Sequence, residues 1–349
     1  MTLAADPCIL THMRALPRSA LLLALTLAAC GGDSKSSEKK TDEKKVEAKP
    51  EEKPEGEATK KPRPRAPASE KSRMPEPKGR LVVLGSLLGN LGATKAALKA
   101  AGAIDDAGKW SGGDLVVVQL GNVFGPHKDE KATLALLDDL AAQAKAAGGA
   151  LYRVTGEHEI LNVALNFKDI VGPQGFKDYA KEKSESPQVE ALPANQRGRA
   201  AMFAAGGPLA VKIAEQKLVM VVGDTLFAHG AVLEDHVKKG VDNINDEGSR
   251  WMKGEIAMMP DMMAVPGPAR SPNLRGGEPF CGGVEQVLTD FAVKRLVIAR
   301  PAAEKIDAVM CEGKLVRVGG VAGDASGPAE VLEIAGGAVK FVPVPAAAK

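Results

Sequence analysis

Arg80-Leu81-Val82-Val83-Leu84-Gly85-Ser86-Leu87-Leu88-Gly89 is the stretch that decides the fold. Four apolar residues in a row, closed by glycine, read as a short strand buried on both faces. Residues 93–101 follow as an alanine-rich helix. Residues 114–121 repeat the first signature as a second strand. Residues 130–147 then form an amphipathic helix with Leu134, Leu137, Ala141 and Ala144 on its inner stripe, stopped by Gly148-Gly149. Residues 150–156 make a third strand. This β-α-β-α-β order predicts an α/β fold with parallel pairing and helices outside.

Further along, residues 159–215 carry polar helical pieces with no clear strand and read as a helical cap insertion. The strand pattern resumes at residues 217–223 and 225–228. A second loop-rich helical excursion covers residues 232–280 and holds Met258, Met259, Met262 and Met263, read as core filling rather than a metal site. Residues 294–299, 314–318, 331–334 and 338–342 are strands again. Glycine-rich turns between the last of them suggest antiparallel meanders.

Working backward from Arg80, the composition changes abruptly. The chain has 349 residues with a formal net charge of +2, but the charge is uneven. Residues 31–80 hold 15 Lys and Arg against 11 Asp and Glu, with seven prolines; residues 81–349 hold 29 against 32. All 12 aromatics lie beyond residue 81. A charged segment without aromatics buries too little apolar surface to offset its ordering entropy, so residues 30–80 read as an extended tether. Residues 81–345 are long enough for a single large core. Their mildly acidic balance argues against a nucleic-acid partner, and no run of 18 apolar residues marks a spanning helix there.

At the N-terminus, Arg14 and Arg18 precede the apolar run 20–29, and Cys30-Gly31-Gly32 follows. A basic flank, a short apolar core and small residues make residues 1–29 a secretory signal. Leu27-Ala28-Ala29-Cys30 resembles the lipobox of bacterial lipoproteins. That resemblance implies lipid on Cys30, a membrane partner through that lipid, and a place in the bacterial cell envelope. Gly31 after the cysteine favours the outer membrane, with the globule in the periplasm or at the surface. An ordinary signal peptide with an incidental cysteine is the alternative, and Met13 is an alternative start. Export also makes Cys281 and Cys311 a disulfide candidate, with two buried free thiols at even odds.

The predicted strand ends carry five segments: 85–89, Gly121-Asn122-Val123-Phe124-Gly125-Pro126, Gly156-Glu157-His158-Glu159, Phe227-Ala228-His229-Gly230, and Val297-Ile298-Ala299-Arg300-Pro301. In open α/β sheets ligands bind at such ends. The arrangement resembles the calcineurin-like metallophosphoesterases, most closely their bacterial Shewanella-like phosphatase branch, over residues 80 to about 342. The resemblance implies a mixed-sheet sandwich with flanking helices and a helical cap. It also implies two divalent metals (Mn, Fe or Zn) that deliver a hydroxide to a phosphate ester. In that family the segments read GDxHG, GDxxDRG, GNHE, strand-His-Gly and strand-Gly-His.

Residue by residue, most of those ligands are replaced. Ser86 and Leu88 stand at the first Asp and His, Asn122 at the bridging Asp, Glu157 at the Asn, and Arg300 at the last His. The Asp-Arg pair of GDxxDRG is missing, because Phe124 runs into Gly125-Pro126. His229 is retained as a ligand and His158 as the proton donor. A residual metal site would draw on Asn122, Glu157 and His229, but the fixed cation of Arg300 beside it repels a dication. The sequence expectation is therefore a pseudophosphatase without bound metal that acts as a binding or scaffolding module. An active phosphoesterase with an altered or single-metal site is the alternative. Arg300 and Arg275 are the candidate anion-binding residues, and the ligand expected is a small anion or a phosphorylated molecule. Glu157 is expected to pair with Arg300 across the former metal position. Arg197 and Arg199 also fall where this branch carries basic residues near its substrate, with a solvated surface role equally weighted. His127 and His236 are expected to be solvent-exposed. The sequence names no protein partner.

Overall fold

The computed structural model describes residues 70–272, 274, 280–299, 308–323 and 328–345. These carry eleven strands: β1 (Arg73–Met74), β2 (Leu81–Leu84), β3 (Val116–Gln119), β4 (Ala150–Arg153), β5 (Val219–Val222), β6 (Thr225–Ala228), β7 (Arg295–Ala299), β8 (Val309–Met310), β9 (Leu315–Val318), β10 (Glu330–Ala335) and β11 (Ala338–Pro343). Ten α-helices accompany them: α1 (Leu91–Ala100), α2 (Glu130–Ala146), α3 (Glu157–Val163), α4 (Pro173–Lys177), α5 (Pro187–Glu190), α6 (Ala194–Phe203), α7 (Pro208–Ile213), α8 (Glu234–Lys239), α9 (Val241–Met252) and α10 (Cys281–Phe291).

The strands form two mixed sheets, ordered β11-β10-β2-β3-β4 and β1-β5-β6-β7-β9-β8. β2, β3 and β4 pair in parallel, with Leu81 beside Val116 and Val116 beside Ala150. β2 and β3 read as apolar runs because both of their faces are covered, whereas β4 lies at the sheet edge and is only partly buried. Leu81, Val83, Val116 and Val118 turn toward Met220, Phe227, Val297 and Val316 of the other sheet. Val82, Leu84 and Val117 turn outward into the cluster that holds Ala97, Leu98, Leu137 and Leu140 of α1 and α2. Alternation by two thus fills a core on each side of the sheet. Asn90 caps α1, its Oδ1 accepting from the Ala93 N–H at 3.0 Å. Helices α3 to α7 supply the cap predicted for residues 159–215.

Several expectations change. Residues 70–80, assigned by composition to the tether, belong to the folded body: Ser72 is buried, Asn245 donates to its hydroxyl, and β1 pairs with β5. The C-terminal strands do not form one meander. β7 and β9 pair in parallel, and the chain then crosses to the other sheet, where β10 lies antiparallel to β2 and makes a hairpin with β11. His236 is buried in α8 rather than exposed, because its ring replaces solvent with backbone partners: Nδ1 accepts from the Leu233 N–H and Nε2 donates to the Pro266 carbonyl. Burial pushes its pKa down, with the Pro266 carbonyl opposing. Of the methionine cluster, Met263 is core and Met259 and Met262 pack against it, but Met258 is exposed. His127 is exposed as expected. Cys281 and Cys311 are joined in a disulfide that ties α10 to the turn before β9.

Candidate active site

The loops after β2, β3 and β4 interlock through backbone hydrogen bonds. The N–H groups of Leu87 and Leu88 both donate to the Asn122 carbonyl, at 3.0 and 2.9 Å, and Gly89 N–H donates to Val123 at 2.8 Å. Leu88 and Asn122 have φ of 55° and 56°, in the left-handed region, next to glycines at 73° and 86°. Such spacing leaves no room for side chains at the turns. A Cβ on Gly121 would lie 2.4 Å from Gly156 N, and one on Gly85 would lie 1.9 Å from Gly319 O.

Glu159 draws the loop after β3 onto α3. Its buried carboxylate accepts from Asn122 N–H at 2.7 Å, Val123 N–H at 2.8 Å and Gly156 N–H at 2.8 Å. Asn122 Oδ1 accepts from His158 N–H at 2.9 Å, and His158 Nδ1 donates to the Phe124 carbonyl at 2.8 Å. Asn162 Nδ2 donates to the His158 carbonyl at 2.8 Å. From the other sheet, His229 sits at the end of β6 and is fully buried; its Nδ1 donates to the Leu120 carbonyl at 2.6 Å, joining the ends of β6 and β3. Its own carbonyl accepts from Ala299 N–H at 3.0 Å, so His229 lies beside the end of β7.

The structure therefore brings Asn122, Glu157, His158 and His229 to the same end of the two sheets. Arg300, Arg275 and Cys30 lie outside the described residues, and with them the Arg300 half of the expected pair. Glu157 makes an ion pair with Arg270 at 3.5 Å, on a residue that the sequence reading did not weigh. Arg199 is not a surface residue: it is fully buried in α6, forked onto the equally buried Glu130 at 2.6 and 3.1 Å. Its Nη1 also donates to the Gly175 carbonyl and its Nε to Asn162 Oδ1, and the guanidinium lies over Phe203, 4.5 Å from the ring centroid. Arg197, two residues earlier on the same helix, is exposed.

Glu159, Glu130 and Arg270 are residues of this network that sequence reasoning did not weigh, and the buried place of Arg199 was not foreseen. Glu159 had a signal, since it stands three residues after Gly156 at a helix start, where a carboxylate reaches back to open N–H groups. The other three meet partners 69 and 113 positions away, beyond any local spacing.

The donor set bears on whether two dications fit. Leu88 offers no ligand atom, and Ser86 and Asn122 offer neutral oxygens. The Asn122 oxygen is already engaged by His158 N–H, and Glu157 is held by a cation. Among the described residues no three His, Cys, Asp or Glu side chains group as a metal site. This donor chemistry does not match the charge of a two-metal centre.

Two mixed sheets pack face to face with helices outside, and the loops that carry Asn122, Glu157, His158 and His229 lie at one end, an architecture that solved phosphatase structures share. The solved structures agree on the fold: a cold-active protein tyrosine phosphatase superposes with a TM-score of 0.62 at 16% identity over 77% of this chain and 80% of that one. The cold-active protein tyrosine phosphatase of a psychrophilic Shewanella species gives 0.59 at 16% identity, over 78% and 82%. In sequence, the chain is a homologue of Shewanella-like protein phosphatase 2 of Arabidopsis thaliana, 29% identical over 323 residues, which is 78% of this chain and 80% of that protein. An uncharacterized protein of Acanthamoeba polyphaga mimivirus is 31% identical over 101 residues, 29% of this chain and 38% of that one. No family model matches the chain.

Proposed function

We propose that this domain binds a phosphorylated or other small anionic ligand without hydrolysing it efficiently, and that it works without a bound metal. The observation that carries this reading is Asn122. It stands where the resemblance places a bridging carboxylate, and its side chain is spent on the backbone of His158 while its own N–H is spent on Glu159. A residue committed to holding two loops together lacks the charge of a bridging carboxylate and has its amide oxygen already engaged by one donor. Arg270 beside Glu157 supplies one cationic group for an anion, and Arg275 and Arg300 are the further candidates from the sequence. Lipid on Cys30 would hold the module to the bacterial outer membrane, with residues 30–69 as the spacer.

An active phosphoesterase with an altered site is the second reading, favoured by His158, whose ring remains oriented by hydrogen bonding. Metal analysis and turnover of an aryl phosphate on the purified full chain separate the two. The binding reading expects substoichiometric Mn, Fe and Zn and no chelator-sensitive turnover. Stoichiometric metal with chelator-sensitive hydrolysis would overturn it. Mass spectrometry of the mature N-terminus tests the anchor: acylated Cys30 is expected, and an unmodified N-terminus upstream of it would defeat the lipid reading.

A further inference from the structure

His158 is held from three sides, by Asn122, by the Phe124 carbonyl and by Asn162, and the last two of these holds trace back to one buried ion pair. The ring Nδ1 lies 2.8 Å from the Phe124 carbonyl. A carbonyl only accepts, so Nδ1 carries the proton, and in a neutral imidazole Nε2 is then a bare acceptor. The same peptide group that offers the Phe124 carbonyl offers the Gly125 N–H on its other side. That N–H donates to Glu130 Oε1 at 2.9 Å. A carboxylate on the N–H of an amide polarises it and makes its oxygen a better acceptor. Glu130 also receives the Arg199 fork, Arg199 Nε donates to Asn162 Oδ1 at 2.8 Å, and Asn162 Nδ2 returns to the His158 carbonyl. The circuit closes, and Glu130, Arg199 and Asn162 are all fully buried. His158 itself is part-exposed.

We propose that Glu130, acting through the Phe124–Gly125 peptide group, and Arg199, acting through Asn162, are positioning residues that fix His158 as the Nδ1–H tautomer. Nε2 then faces the ligand as a hydrogen-bond acceptor. This deepens the binding reading, because it names what the ligand brings to Nε2 of the neutral ring: a donor such as a hydroxyl or a protonated phosphoryl oxygen.

The test is long-range proton–nitrogen correlation of the histidine rings in the nitrogen-15-labelled full chain, at about pH 8. His158 is expected to show a protonated Nδ1 and a bare Nε2. Asn162→Asp keeps an oxygen toward Arg199 but removes the N–H that reaches His158. Glu130→Gln keeps the shape but removes the charge on the amide. In each, the tautomer ratio should move roughly fivefold toward Nε2–H, the change expected from losing one ordinary hydrogen bond. If Glu130→Gln does not fold, Asn162→Asp carries the test. A wild-type ring protonated at Nε2 would overturn the proposal, as would a folded Asn162→Asp protein with an unchanged ring pattern. Neither result involves metal or turnover, so each is distinguishable from a failure of the binding reading.

Discussion

Arg199→Met is the perturbation whose size the structure fixes best. It removes the fork onto Glu130, the donor to the Gly175 carbonyl, the donor to Asn162 Oδ1 and the cation over Phe203. What remains is the Glu130 carboxylate, fully buried, with the Gly125 N–H as its one other donor among the described contacts. Breaking a buried pair from one side costs about 3–5 kcal/mol, because the remaining charge is stranded. Two orphaned oxygens, each costing ~1–3 kcal/mol on its own, place this site at the upper end. In urea, with a slope near 3 kcal/mol/M, the midpoint should fall by roughly 1–2 M. Arg199→Met with Glu130→Met removes both charges and leaves only neutral groups unpartnered. That double variant should recover about 2 kcal/mol of the single variant's loss. Circular dichroism against urea reads all three proteins. A single variant that loses less than ~1 kcal/mol, or a double variant that costs the sum of two singles, would show that the pair is not electrostatically buried as its geometry indicates.

Cys281→Ser opens a disulfide that closes a loop of sequence separation 30, so chain entropy predicts a loss of about 3–4 kcal/mol, read as a lower melting temperature under oxidising conditions only. His236 has a folded pKa below its ordinary 6.5, so the unfolded chain takes the proton first. Its contribution is complete above pH 6.5 and is lost as pH falls below it, and His236→Gln should flatten that acid limb of the stability–pH curve. Gly85→Ala places a methyl 1.9 Å from Gly319 O and should either prevent folding or melt well below the parent, whereas Gly108→Ala, with nothing within 4 Å, pays only the strain of its φ of +78°. Equal melting points for those two glycine variants would argue against the close approach of the β2 and β9 loops.

Strands such as β2, β3 and β5 were legible as short runs buried throughout, and a strand covered on both faces shows no alternation. Leu81–Leu84 and Val116–Gln119 lie inside the predicted ranges 80–85 and 114–121 for that reason. The parallel order of β2, β3 and β4 followed from the intervening helices. The C-terminal order did not, because a glycine-rich turn looks the same whether the next strand stays in its sheet or crosses to the other. Residues 70–80 were misplaced by composition: Ser72 and Met74 join the body through an asparagine and an edge strand some 150–170 positions away, and averaged charge does not register two such contacts. At the site, the loops were legible from their glycines, but the network behind them was not. His236 looked exposed because its segment is polar, although a ring that finds two backbone partners can be buried at small cost.

The attachment of β1 has a mechanical consequence. Tension along the chain N-terminal to Glu70 enters the body at a two-residue strand on the outer edge of a sheet. Beyond the backbone pairing with β5, the grip includes Arg73 on the carbonyls of Gly223 and Phe291, Ser72 on Asn245 and Asp242, and Met74 packed against the core. Such a short ladder yields first under load, and β5, held by β6 on its far side, stays in place. About ten residues would then pay out as slack, each adding up to ~3.5 Å of reach, before any force is felt at the loops that carry His158.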